Sequence, residues 1–155
     1  MPTATLETVF GQFAVTEADG LVTRIRWGEA QDGTRGAKTS PLLEEAVLQL
    51  KAYFVGRLRD FDLPLATPSD PFRQAVSAAM LAIPYGETRT YGEIAADLGS
   101  YGQPVGAACG SNKIPIVVPC HRVLSASGIG GFSAPGGVET KIALLRHEGG
   151  YPFLI

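Results

Sequence analysis

Apolar and polar residues alternate at the start of the chain. Leu6, Val9, Phe13 and Val15 stand among polar neighbours, and a second alternating run, Leu21-Val22-Thr23-Arg24-Ile25-Arg26-Trp27, follows Asp19-Gly20. Alternation with period two marks a strand with one buried face. Asp-Gly between two such runs is a strong hairpin signal, because the tight turn needs positive φ at its central positions. Residues 28–39 are polar and glycine-rich and read as a loop. The period then changes: Leu43, Val47, Leu50 and Phe54 recur at helical spacing behind Ser40-Pro41, an N-cap followed by proline at the first helical position, and Gly56 is the stop.

After a linker over residues 66–71 the pattern is helical. Asp70-Pro71 caps a helix with Phe72, Val76, Ala79, Met80 and Ile83 on one face, ended by Pro84-Tyr85-Gly86. Thr90-Tyr91-Gly92-Glu93 has the spacing of a capping box, and Gly99 closes the short helix it opens. Residues 102–111 read as a second short helix with Pro104 near its start. Two short helices joined by a glycine-bearing turn suggest a helix-turn-helix, in which Gly106, Ala107 and Ala108 would permit close approach to a DNA groove; a plain helix pair packed into a core has the same spacing. Residues 114–118 predict a buried extended segment, and the glycine-rich stretch 125–137 predicts tight turns or close ligand approach. A last helix spans 137–146 with Val138, Ile142 and Leu145 inward, closed by Gly149-Gly150. The expected fold is therefore mixed α/β of the α+β kind. A small antiparallel-sheet lobe over 1–68 precedes a mostly helical lobe with a helix-turn-helix over 69–155.

Composition narrows the class. At 155 residues and 45% apolar content the chain can bury a real core. No apolar run approaches the ~18 residues that span a bilayer, and no signal peptide is evident. The net charge of −2 argues against a generic polyanion binder. The second lobe carries six basic and six acidic residues, so any grip on nucleic acid must come from local placement and helix N-termini. The two cysteines, Cys109 and Cys120, make no disulfide framework, and a reducing cytoplasm is the simplest home for them.

The chemistry gathers at Pro119-Cys120-His121-Arg122-Val123. A thiol reacts as the thiolate, and a nearby histidine is the usual means of forming one. Cys120 is the candidate nucleophile, against the bland alternative of a buried inert cysteine. Adjacent residues of an extended segment point to opposite sides, so Cys120 and His121 need a turn or a bridging water to cooperate. A histidine that accepts a proton needs an orienting carboxylate, and Glu148 at the end of the last helix is the candidate. Arg122 holds local structure or a phosphate. The Asn112 amide can tie the Cys120 loop to the preceding helix. Cys109 reads as a small helix-packing residue.

These runs closely resemble the O6-alkylguanine-DNA alkyltransferases, the methylated-DNA–protein-cysteine methyltransferases. The matching motifs are Pro119-Cys120-His121-Arg122-Val123, Ile83-Pro84-Tyr85-Gly86-Glu87-Thr88 with Thr90-Tyr91-Gly92-Glu93-Ile94, Gly131-Phe132-Ser133 running to Gly136-Gly137-Val138, and Leu144-Leu145-Arg146-His147-Glu148-Gly149. In the first lobe Tyr53-Phe54-Val55-Gly56 and Phe61-Asp62-Leu63-Pro64-Leu65 also fit, so the resemblance covers nearly the whole chain.

The resemblance implies a monomeric, cofactor-free repair protein that acts once on double-stranded DNA. It would flip O6-alkylguanine, and O4-methylthymine as well, into a pocket and take the alkyl group onto Cys120. It implies His121 as base through a water, Glu148 as its orienter, Tyr91 as an aid to phosphate rotation or purine protonation, and Asn112 as a hinge. Val123, Phe132, Ser133 and Arg122 would contact the substrate. Thr90, Tyr91, Gln103, Gly106, Ala107 and Gly110 would face DNA. Two departures stand out. Gln103 occupies the place where many members carry an arginine that enters the base stack, with Arg89 a possible helper, and no cysteine or histidine precedes residue 109, so no metal is expected. Two other classes remain open: a module that flags alkylated guanine without transfer, which the presence of Cys120 disfavours, and a cysteine hydrolase, which an adjacent Cys-His pair fits poorly.

Overall fold

The computed structural model describes residues 2–28, 40–132 and 134–149, so most of the predicted loop over 28–39, together with Ser133 and Gly150, lies outside the described residues. The chain forms two compact units, Met1–Ala66 and Thr67–Ile155.

In the first unit β1 (Thr3–Thr8), β2 (Gly11–Ala18) and β3 (Leu21–Trp27) form an antiparallel sheet in that order. The hairpin reading of Asp19-Gly20 holds: both residues have positive φ, 53° and 77°, matching the twist of the flanking strands. Leu6, Phe13, Val15, Val22 and Ile25 are buried and build the core with α1 (Pro41–Phe54). Ser40 caps that helix by accepting from the Leu43 N–H, and Pro41 stands in its first turn. Two positions differ from the predicted pattern. Val9 is 81% exposed because it sits at the tip of the β1–β2 turn rather than in a strand. The inner face of α1 is Leu43, Ala46, Leu50, Tyr53 and Phe54, with Val47 only half-buried.

In the second unit α2 (Pro71–Leu81) starts at Asp70, whose carboxylate accepts from the Arg73 N–H, and buries Val76 and Met80. A two-residue strand, β4 (Arg89–Thr90), leads into α3 (Tyr91–Leu98). The predicted capping box is present: Thr90 Oγ1 accepts from Glu93 N at 3.0 Å and Glu93 Oε1 accepts from Thr90 N at 2.8 Å. Gly99 ends α3 at φ 65°, a left-handed conformation that glycine adopts without cost. After a three-residue link, α4 (Gly102–Gly110) packs on both α2 and α3 through Val105, Ala108 and Cys109. Its other face, Gln103, Pro104, Ala107 and Gly110, is exposed.

The expectation of an extended segment over 114–118 is corrected. Ile114, Ile116, Val117 and Val118 are buried, but the backbone turns: Ile116 takes φ 74° and Val118 N donates to Ile114 O at 2.9 Å. An apolar run reports burial, not conformation, when no periodicity accompanies it. A 3-10 turn over Cys120–Arg122 follows, then β5 (Val123–Leu124), which pairs in parallel with β4. The final helix, α5 (Val138–His147), also differs from the reading of its inner face. Lys141, Leu144 and Leu145 are buried, whereas Val138 is 38% exposed and Ile142 half-buried. A buried lysine on the inner stripe rotates the apparent apolar face.

Candidate active site

The 3-10 turn decides how Cys120 and its neighbours are presented. Successive side chains on such a turn point about a third of a revolution apart, so Cys120 and His121 diverge without pointing to opposite sides. Cys120 is 9% exposed and forms part of a cleft of ≈ 430 Å³ lined also by Tyr91, Gly106, Cys109, Gly110, Gly131 and Phe132. His121 points away from solvent altogether. Its Nε2 lies 2.7 Å from Glu148 Oε2, and both side chains are fully buried. Arg122 closes the group: Nε and Nη2 donate to the two Glu148 oxygens at 2.8 and 3.1 Å, and Nη1 donates to the Ile83 carbonyl at 2.6 Å. Its guanidinium also lies 5.7 Å from the centroid of the Tyr85 ring.

These contacts fix protonation states. Burial disfavours an ionised Glu148, but the hydrogen bond and charge of His121, followed by those of Arg122, outweigh it and hold the carboxyl well below its usual range. Burial pushes His121 down, more than Glu148 pushes it up. The two shifts disagree over the His121 charge; Arg122 is a permanent cation bonded to both carboxylate oxygens and suffices to keep Glu148 ionised, so the fully buried ring is taken as neutral. Nε2 then carries the proton donated to Glu148, and Nδ1 is left with a lone pair. Among the described residues that buried Nδ1 atom has no hydrogen-bond partner, a costly condition unless a proton transfer or a water uses it.

Burial pushes the Cys120 thiol up, opposed by a hydrogen bond from Asn112 and by the positive charge of Lys141. At neutral pH Cys120 therefore rests as the thiol, and its ionisation has to be driven by a base. Asn112 is the structural tie of the loop: Nδ2 donates to Val118 O at 2.8 Å and Oδ1 accepts from Ile114 N at 3.0 Å. Tyr91, at the start of α3, is raised to about 12 by burial and by the charges of Cys109 and Cys120, so it is a protonated phenol. Among the described residues no cluster of three potential metal ligands occurs.

A family profile described as the DNA binding domain of 6-O-methylguanine DNA methyltransferase matches residues 71–150, and one described as its ribonuclease-like domain matches residues 1–67. The chain is 40% identical over 150 residues, 93% of its own length, to the methylated-DNA–protein-cysteine methyltransferase of Mycolicibacterium paratuberculosis, covering 90% of that protein. This chain belongs to the methylated-DNA–protein-cysteine methyltransferase family. Another relative with that name, from Mycobacterium tuberculosis, is 52% identical over 106 residues, 66% of this chain but only 63% of that protein's length. The crystal structure of Mycobacterium tuberculosis OGT in complex with DNA superposes with a TM-score of 0.82 at 39% identity, covering 95% of this chain and 92% of that one.

Within this methyltransferase fold, the residues singled out in the sequence sort into three groups. Tyr91, Gly106, Gly110, Cys120 and Phe132 line the cleft. His121, Glu148, Asn112 and Val123, the last expected as a substrate contact, are not among the residues that line it. Arg122, expected also as a substrate contact, does not line the cleft; its donors are taken by Glu148 and the Ile83 carbonyl. Thr90 spends its hydroxyl on the α3 cap. Gln103 and Ala107 lie on the exposed face of α4, outside the cleft lining, and Ser133 lies outside the described residues. Sequence reasoning missed two residues. Cys109 is buried as expected of a packing residue, yet it lines the same cleft as Cys120. Lys141 is buried beside the cleft and donates to Val123 O and Gly131 O. The available signal for Lys141 was a lone lysine at the centre of the apolar stripe of α5.

Proposed function

We propose that this protein repairs alkylated DNA by moving a methyl or other alkyl group from O6 of guanine to the sulfur of its own Cys120, irreversibly and once per molecule. The observation that supports this reading is Cys120 at the cleft wall, followed in the chain by a buried His121 whose Nδ1 has no partner among the described residues and whose other nitrogen is locked on Glu148. The Cys120 proton passes through one water to Nδ1. The thiolate electron pair then forms the S–C bond as the C–O6 bond breaks, and those electrons return to the purine. A guanine anion is a poor leaving group, so protonation of the ring from the Tyr91 side lowers the barrier. The S-alkyl thioether offers no leaving path, which makes the step final.

DNA is the partner in this reading. The α3–α4 pair serves as a helix-turn-helix, and its outward side, with Gln103, Ala107 and Gly110 exposed and Gly106 half-buried, meets the duplex. A Cβ added at Gly106 or Gly110 would touch nothing within 4 Å, so the backbone there lies open to close approach. The damaged base must leave the stack to reach a recessed sulfur. A cleft of ≈ 430 Å³ suits a single base with its alkyl group, and O4-methylthymine falls within the same limit. A free acceptor thiol fits the reducing cytoplasm.

Incubation with a duplex containing O6-methylguanine, followed by peptide mass analysis, is the test. One methyl group per protein on the Cys120 peptide is expected, with Cys109 unmodified. Turnover of many lesions per molecule, or tight binding of the duplex with no mass gain, would overturn transfer in favour of catalysis or lesion flagging respectively.

A further inference from the structure

Among the described residues Lys141 has no acid to pair with. Its side chain is fully buried on the inner face of α5. Its Nζ donates to the Val123 carbonyl at 2.6 Å and to the Gly131 carbonyl at 3.1 Å, and it lies 5.7 Å from the centroid of the Tyr91 ring. Among the described residues no carboxylate forms an ion pair with it. Two neutral carbonyls and a ring face compensate a buried ammonium only in part, and an apolar side chain of the same length would pack there without that cost. The titratable groups facing the amine are Tyr91 on α3, Cys109 on α4, and Cys120 and His121 on the 3-10 turn. Both thiols line the same cleft as Tyr91 and Gly131, which the lysine touches, and the turn that begins at Cys120 leads into Val123, whose carbonyl the lysine holds.

We infer that Lys141 is a positioning residue for the acceptor thiol, a buried cation that ties the two carbonyl-bearing walls of the cleft together and against whose charge Cys120 ionises. The bond to Val123 fixes the strand that leaves the Cys120 turn. The bond to Gly131 fixes the glycine loop that carries Phe132 over the cleft. Gly130 shows how tightly this corner is built: at φ 76°, a Cβ there would stand 3.3 Å from Lys141 Nζ, 3.3 Å from Tyr91 Cε2 and 3.2 Å from Ser125 N. The charge coupling is mutual. Burial lowers Lys141 to about 8, while ionised Cys120 and Cys109 raise it, and Lys141 lowers Cys120 in turn.

This inference deepens the proposed alkyl transfer but can be tested without DNA or purine. The rate at which iodoacetamide modifies Cys120 in the full-length protein, followed by peptide mass across pH, reports thiolate formation. Lys141→Met should move the rise of that profile upward by about one pH unit or more, about a tenfold loss of thiolate at fixed pH. Lys141→Arg should restore most of it. A Lys141→Met protein that melts normally and gives the wild-type profile would overturn the inference.

Should Lys141→Met fail to fold, Cys120→Ser gives the reciprocal measurement. In NMR of ¹³Cε-labelled lysine, Lys141 should lose its proton at lower pH in Cys120→Ser than in the wild type. Identical titrations would overturn the inference equally. Wild-type protein that alkylates normally with iodoacetamide but takes no methyl from O6-methylguanine duplex would sink the repair reading and leave this one standing.

Discussion

Glu148 Oε2 accepts from His121 Nε2 at 2.7 Å, with both side chains sealed from solvent. This single contact ties the stability of the second unit to the protonation of both groups. Both groups have lower pKa values in the folded chain than in the unfolded one. Each therefore contributes stability that is present above its unfolded value and lost as pH falls through its folded value.

Stability should fall on acidification in two stages. The first begins near 6.5, where unfolded His121 starts to bind a proton that the buried ring refuses. The second begins near 4.5 with Glu148. Glu148→Gln should remove the second stage. It should also cost ~3–5 kcal/mol at neutral pH, because it leaves the Arg122 charge buried without its partner. Thermal melts from neutral pH to about pH 4 check this, and a flat melting temperature for the wild type would refute it.

His121→Gln separates orientation from proton transfer. The amide can still donate to Glu148, but it has no basic nitrogen to take a proton. Alkyl transfer should slow by ~10²–10⁴, the usual contribution of a general base, while affinity for the duplex stays the same. Single-turnover kinetics beside a binding isotherm distinguish the two effects. A loss confined to affinity would remove His121 from the chemistry.

Asn112→Ala should act through geometry. It removes the donor to Val118 O and the acceptor for Ile114 N, leaving both backbone groups short of a partner at ~1–3 kcal/mol each. It also removes the hydrogen bond that favours the Cys120 thiolate. The expected outcome is a lower denaturation midpoint together with a Cys120 profile shifted to higher pH. Loss of stability with an unchanged thiol profile would make Asn112 a scaffold residue alone.

The capping box at Thr90 and Glu93, the Asp19-Gly20 turn and the proline-started helices were legible in the sequence because each is written within four residues. The partnership of His121 with Glu148, 27 positions apart, was legible only as a chemical need for a carboxylate. The stretch over 114–118 misled because burial of an apolar run says nothing about its dihedrals. Cys109 and Lys141 escaped for a related reason. The place of Cys109 in the cleft and of Lys141 beside it depends on how α4, α5 and the Cys120 turn meet, which no local pattern encodes. A charged residue inside an apolar stripe is the one local sign that such a tertiary demand exists.

Gln103 lies exposed near the N-terminus of α4, on the face that also carries Ala107 and Gly110. It makes no cleft contact, so a change there should leave folding intact. The resemblance places an arginine at this position in many relatives, and glutamine lacks both the charge and the reach to fill a vacated base position and hold a phosphate. Gln103→Arg should therefore tighten binding to duplex DNA and steepen its salt dependence by about one counterion. Transfer from O6-methylguanine duplex should be faster, with no change in the iodoacetamide profile of Cys120. Binding isotherms at several salt concentrations check the first effect and single-turnover transfer the second. Unchanged affinity, salt slope and rate would mean that the base is extruded without help from this helix face, and Arg89→Ala would then be the variant that loses binding.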